Sequence, residues 1–191
     1  MTKSLALGGL LGGFVLFVWG AVSYMVLPWH SMTLNKFKDE GAMVQALVAN
    51  ASESGMYILP NPHRQAQGLT ESQRKAAEEG DMKRMMEGPF MFASVGLTGT
   101  REMGPALLFN VIGNIVSALL VTWLLLQTAS ATYWRRAGFV VVIAFATAMI
   151  AHYPSWIWWR FSESFTLVEL ADLLIGWSLA GLVMAKIVPA R

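Results

Sequence analysis

The sequence predicts an all-α integral membrane protein, a four-transmembrane-helix bundle with a small extracytoplasmic α+β cap between helices 1 and 2. Three observations predict it. Four apolar runs, at residues 5–27, 105–127, 137–153 and 166–188, each come near the roughly 17–25 residues that cross a bilayer core. The 191-residue chain is 55% hydrophobic and only 14% charged, with a mean hydropathy of +0.49, where a soluble domain carries about 25% charge. One substantial polar stretch, residues 29–104, separates the first run from the other three.

The first run follows Lys3 and extends well past the roughly 7–15 apolar residues of a secretory signal, so it is expected to stay as an uncleaved span. Four spans place both termini on one side. Lys3, the Arg135–Arg136 pair, Lys186 and Arg191 then share that side, whereas in the opposite short loop Arg160 is offset by Glu163. Basic residues in short loops mark the cytoplasm. The expected setting is a bacterial inner membrane, multi-pass, with both termini cytoplasmic. Trp29, the Tyr133–Trp134 pair and the aromatic segment 152–161 read as interfacial anchors, with apolar rings and polar N–H or O–H groups.

Within the cap, Met43, Val44, Leu47 and Val48 fall at helical spacing between Asp39 and Asn50. Thr70 and Gln73 form a capping box that opens a charged helix, expected to stop at Gly88–Pro89. Residues 56–59 and 90–95 read as two strands that pair with each other. About 70 residues make a marginal core, so the cap is expected to lean on the bundle or on a partner. Met82, Met85, Met86, Met91 and Met103 read as adaptable core filling rather than a soft-metal surface. His63, in a loop-like stretch, reads as solvated.

The chain has no cysteine, which excludes disulfides, thiolate metal sites and a thiol nucleophile. Its formal charge of +2 is spread along the chain, which argues against nucleic acid as a partner. No P-loop, dinucleotide fingerprint, nucleophile elbow or triad spacing is present. The sequence requires no cofactor.

Two features stand out inside the spans. In the first, Gly9 and Gly13, continued by Gly20 and Ser23, make a small-residue face that lets another helix approach closely. That helix belongs to the same chain or to another subunit. The second feature is polar. Glu169 and Asp172 lie at i and i+3 in the last span, and a carboxylate in a span is costly unless paired, wetted or neutralised. Asn110 and Asn114 stripe the second span and are expected to face the bundle interior as interhelical hydrogen-bond glue. His30 and His152 sit at the outer ends of the first and third. All four spans thus bring polar residues to the outer half.

Three chemistries suit this cluster. One is a structural network that ties cap to bundle. Another is a metal site drawn from His30, His152, Glu169 and Asp172, whose imidazole and carboxylate groups suit zinc, iron or manganese but lack a tight ligand spacing. The last is a pocket for a quinone head group, a lipid or a protonatable substrate.

The glycine-rich first span ending in Tyr24-Met25-Val26-Leu27-Pro28-Trp29-His30, with Glu169-Leu170-Ala171-Asp172 in the last, resembles small four-span bacterial membrane proteins. That resemblance implies an architecture and no activity. The expected role is a non-enzymatic accessory or structural subunit of a larger bacterial membrane complex, respiratory or photosynthetic. Its partners would be the lipid bilayer and other membrane subunits, or a second copy of the chain. The rival expectation is a small membrane transporter, or a metal- or quinone-binding membrane enzyme, using the outer cluster.

Overall fold

A computed structural model describes residues 2–61, 70–128 and 130–189, so His63 and Arg191 lie outside the described residues. The elements run α1 (Thr2–Met25), α2 (Trp29–Met32), α3 (Glu40–Asn50), β1 (Gly55–Leu59), α4 (Glu71–Glu87), β2 (Met91–Val95), α5 (Met103–Leu126), α6 (Tyr133–Trp159) and α7 (Glu163–Ile187). They divide into two compact units, Met1–Asn35 with Arg101–Arg191, and Lys36–Thr100. Four helices, α1, α5, α6 and α7, are long and apolar enough to cross a membrane.

Two of these helices, α6 and α7, begin before their apolar stretch because a polar cap starts each of them. Thr132 Oγ1 accepts from the Arg135 N–H and starts α6, and Ser162 Oγ accepts from the Phe165 N–H and starts α7. The third span was expected to close at residue 153. Instead α6 runs through Pro154 to Trp159, where Arg160 in the left-handed region (φ 59°) stops it. A helical proline forfeits one backbone hydrogen bond but does not forbid the turns that follow.

In the first unit α1 and α7 form the central antiparallel pair, with α5 packed on α1 and α6 packed on α7. The glycine face of α1 is spent inside the chain. A β-carbon on Gly13 would lie 2.8 Å from the Ile115 Cα, and one on Gly9 would lie 2.3 Å from the Leu119 side chain. The bare backbone of α1 therefore rides directly on α5. Gly12 faces Met184 of α7 in the same way. Gly20 departs from this pattern, since nothing lies within 4 Å of a β-carbon placed there. The apolar core, around Leu16, Ala118, Leu125, Val140, Ala180 and Met184, fills the end opposite the polar cluster. Between α5 and α6 contact is sparse, so the two flanking helices leave one side of the unit open.

In the second unit β1 and β2 pair antiparallel, with Gly55 opposite Val95 and Leu59 opposite Met91. Asp39 caps α3 by accepting from the Ala42 N–H, and the Thr70–Gln73 capping box opens α4 as its spacing predicts. Of the five methionines expected to fill a core, Met85 and Met91 are half-buried and the other three are not. Met82 and Met86 are exposed, and so is Met103 at the start of α5. The residue that α4 buries is Asp81, paired with Arg84 one turn on.

Candidate functional site: a carboxylate–histidine cluster at the end of the helices

The cluster is built by a sharp elbow. After α1 the chain turns at Pro28, and the single turn of α2 folds His30 back against Ser23, seven residues earlier. Both are buried, Ser23 completely. Across from them α7 presents Glu169 and Asp172.

Asp172 is the hub. Its Oδ1 accepts from Trp19 Nε1 at 2.8 Å and from Ser23 Oγ at 2.5 Å, and Trp19 Nε1 also reaches the Asp172 carbonyl at 3.0 Å. Ser23 Oγ in turn accepts from Trp29 Nε1 at 3.0 Å and lies 2.9 Å from His30 Nε2. The other ring nitrogen, His30 Nδ1, is 3.3 Å from Glu169 Oε1. Tyr24 stacks on the imidazole with ring centroids 3.8 Å apart, and Trp29 meets it edge-on. The dipole of α7 contributes little to holding these carboxylates. The helix begins at Glu163, which puts Asp172 about 13 Å along it at 1.5 Å per residue, and the dipole fades beyond the first turn. Direct donors hold the carboxylate instead.

Beside the network lies a cavity of about 210 Å³. Trp19, Gly20 and Tyr24 line it from α1, Asn110 and Asn114 from α5, His152 from α6, and Glu169, Asp172, Gly176 and Trp177 from α7. Gly20 thus serves as an opening, where the spacing suggested a packing position. The space suits a few waters or one small polar group, each water needing about 30 Å³.

The expected residues therefore meet, with different partners. His30, Glu169 and Asp172 share one network, and His152 joins them only as a half-buried wall of the cavity. Asn110 is exposed and Asn114 half-buried, rather than interior. Asn114 Nδ2 donates to Asn110 Oδ1 at 2.7 Å, a bond within α5 and not between helices. The two asparagines are one helical turn apart and face the open side, so they reach each other first. Among the described residues, no group of three or more His, Asp or Glu side chains is arranged to hold a metal ion. Three participants were not legible as such: Trp19, Tyr24 and Trp29. A signal existed in Trp19 and Ser23, which share a helix face at i and i+4.

The fold defines a mostly helical protein whose four long apolar helices gather polar side chains at one end. The chain matches no protein-family model, no curated protein and no solved structure.

Proposed function

We propose that this chain is a non-enzymatic accessory subunit of a larger bacterial membrane complex. It sits in the inner membrane with both termini cytoplasmic and the Lys36–Thr100 unit as an extracytoplasmic cap. The observation that carries the reading is the open side between α5 and α6, where Asn110 is exposed and Asn114 and His152 are half-buried. Amide and imidazole groups left facing hydrocarbon are costly, so a helix from another subunit is the natural cover. Two further facts support it. Less than a third of the most apolar stretch of each long helix is buried within the chain, at most 28%. Asp172, moreover, is committed to Trp19 and Ser23, as a tie between helices would be.

Purification in a gentle detergent followed by native mass measurement tests the proposal. A stable complex containing the chain, cross-linked through a photoreactive residue at position 110, is expected. A lone monodisperse monomer that yields no cross-link overturns it. The orientation has its own check. Impermeant thiol reagents applied from outside should modify Ser72→Cys and spare Ser130→Cys, and the reverse pattern rejects the topology.

The cavity favours a second reading, a small transporter or a metal- or quinone-binding membrane enzyme that works at the same cluster. Stoichiometric metal or quinone in the purified protein would favour it over the accessory role.

A further inference from the structure

We propose that the turn joining α6 to α7 binds one phospholipid by a phosphoethanolamine headgroup, its phosphate on Arg160 and its ammonium on Glu163. The proposal rests on the reading that the long helices lie in a bilayer, and not on the accessory role. The turn consists of Arg160, Phe161 and Ser162, between the end of α6 at Trp159 and the start of α7 at Glu163. Two cavities adjoin it and share Trp156 and Glu163 as walls. The larger, about 630 Å³, is bordered by Arg160, Ser162 and Glu163 and falls within the roughly 300–1,000 Å³ of small-ligand pockets. The smaller, about 260 Å³, is bordered by Tyr153 of α6 and by Thr166, Leu167 and Leu170 of α7.

Arg160 is the residue that points to a ligand. Its backbone lies in the left-handed region (φ 59°), and among the described residues no other non-glycine residue does so. Glycine ends helices in this conformation without the steric cost that a β-carbon brings. Solvation alone would be met by asparagine, which also tolerates this conformation better. A guanidinium is thus kept where a smaller residue would serve the fold better. Within the chain it has nothing to bind. Among the described residues neither Arg160 nor Glu163 makes a side-chain hydrogen bond or an ion pair, although the two border the same cavity. A cation and an anion left apart over one cavity match a ligand that carries both charges.

The two cavities are graded as a phospholipid is. A planar guanidinium takes phosphate through two parallel N–H donors. A primary ammonium donates to the Glu163 carboxylate and is attracted to the face of an indole such as Trp156, which walls both cavities. From Glu163 to Leu170, α7 advances about 10 Å at 1.5 Å per residue. One headgroup layer is roughly 5–7 Å deep, so the lining passes from charged at the headgroup to apolar at the acyl chains. Tyr153 and Trp156, with ring centroids 5.5 Å apart, are of the kind that marks the headgroup level. Choline lacks the N–H donors that a carboxylate accepts, and a glycerol headgroup brings no cation to Glu163. Ethanolamine is the headgroup that uses both residues.

The test is native mass measurement of the full chain in detergent, after adding ethanolamine, choline or glycerol phospholipids with identical acyl chains. Wild type should retain one ethanolamine lipid several-fold more than either of the others. Arg160→Gly should lose that retention while melting no lower than wild type, since glycine suits the cap. Should Arg160→Gly fail to fold, Arg160→Asn carries the comparison. Glu163→Gln should still hold phosphate and retain the ethanolamine and choline lipids alike. Equal retention of all three lipids by wild type overturns the proposal, and so does undiminished retention of the ethanolamine lipid in Arg160→Gly. Glycerophosphoethanolamine, the same headgroup without acyl chains, should not compete, and full competition by it overturns the assignment to a lipid. Washing membranes with alkaline carbonate separates this proposal from the reading beneath it. A chain released by the wash rejects the bilayer reading and the proposal with it. A chain that stays in the membrane and shows no preference for ethanolamine rejects the proposal alone. A monomeric native mass would reject the accessory role and leave the lipid result standing.

Discussion

Trp19 lies over Gly176, where a β-carbon would fall 2.6 Å from the indole Cδ1, and from that seat its N–H donates to Asp172 one turn earlier on α7. The glycine makes room for the ring, and the ring satisfies the carboxylate. Gly176→Ala should therefore dislodge Trp19 and disturb the hub of the network, at about 1–3 kcal/mol for an overpacked contact. Thermal unfolding in detergent checks it. Trp19→Phe, which removes the N–H but not the bulk of the ring, should cost less. Unchanged stability in Gly176→Ala would mean that the indole has another seat.

The glycines of α1 should rank by what their missing side chain would strike. At Gly13 the obstacle is the Ile115 backbone, which no rotamer change can move aside. At Gly9 it is chiefly the Leu119 side chain, which can partly yield, and at Gly20 there is open space. Alanine should destabilise most at Gly13, less at Gly9 and hardly at all at Gly20, where it should slightly favour the helix. Melting temperatures of the three variants give the order. A large loss at Gly20 would place a further helix against that face.

Local signals survive translation into structure better than meetings between distant elements. The capping box at Thr70 and Gln73, and the two strands flanked by breakers, were legible because each rests on a few neighbouring residues. The four long helices were legible from apolar length alone. The network around Asp172 was only half legible. Its carboxylates announce themselves by their cost, but Trp19 reaches Asp172 only because Gly176 is bare, and His30 reaches Ser23 only through the elbow at Pro28. The asparagines misled for a related reason. Polarity says that a residue needs a partner but not which one, and the neighbour one turn away was available before any other helix.

Asp172 and Glu169 should respond differently to loss of charge and loss of hydrogen bonding. In Asp172→Asn the side-chain oxygen still accepts from Trp19 and Ser23, so stability should stay near wild type. Asp172→Leu leaves Trp19 Nε1 without its side-chain acceptor and Ser23 Oγ without a place for its hydrogen, at about 1–3 kcal/mol each. Glu169→Leu should also cost stability, because it removes the 3.3 Å contact with His30 and the acceptor of the Tyr24 hydroxyl. Thermal midpoints of the three variants decide. Equal, wild-type-like stability in all three would show that the carboxylates tie nothing together.

Arg136 offers the opposite case, a buried charge whose removal should help. It is 4% exposed, in the first turn of α6, and its Nε and Nη1 find no hydrogen-bond partner among the described residues. A cation near a helix N-terminus also opposes the helix dipole. Replacing an unpaired buried charge with an apolar side chain of similar length is commonly neutral or stabilising. Arg136→Met should therefore hold or raise the melting temperature, by an amount equivalent to about 1–3 kcal/mol for the relieved polar groups. The outcome has a second use. If the variant instead melts lower, the guanidinium must pair with an anion from outside the chain. Adding anionic phospholipid to wild type but not to Arg136→Met should then restore the difference. That pairing would fit the cytoplasmic side proposed for this end of α6, where basic residues in short loops are expected to lie.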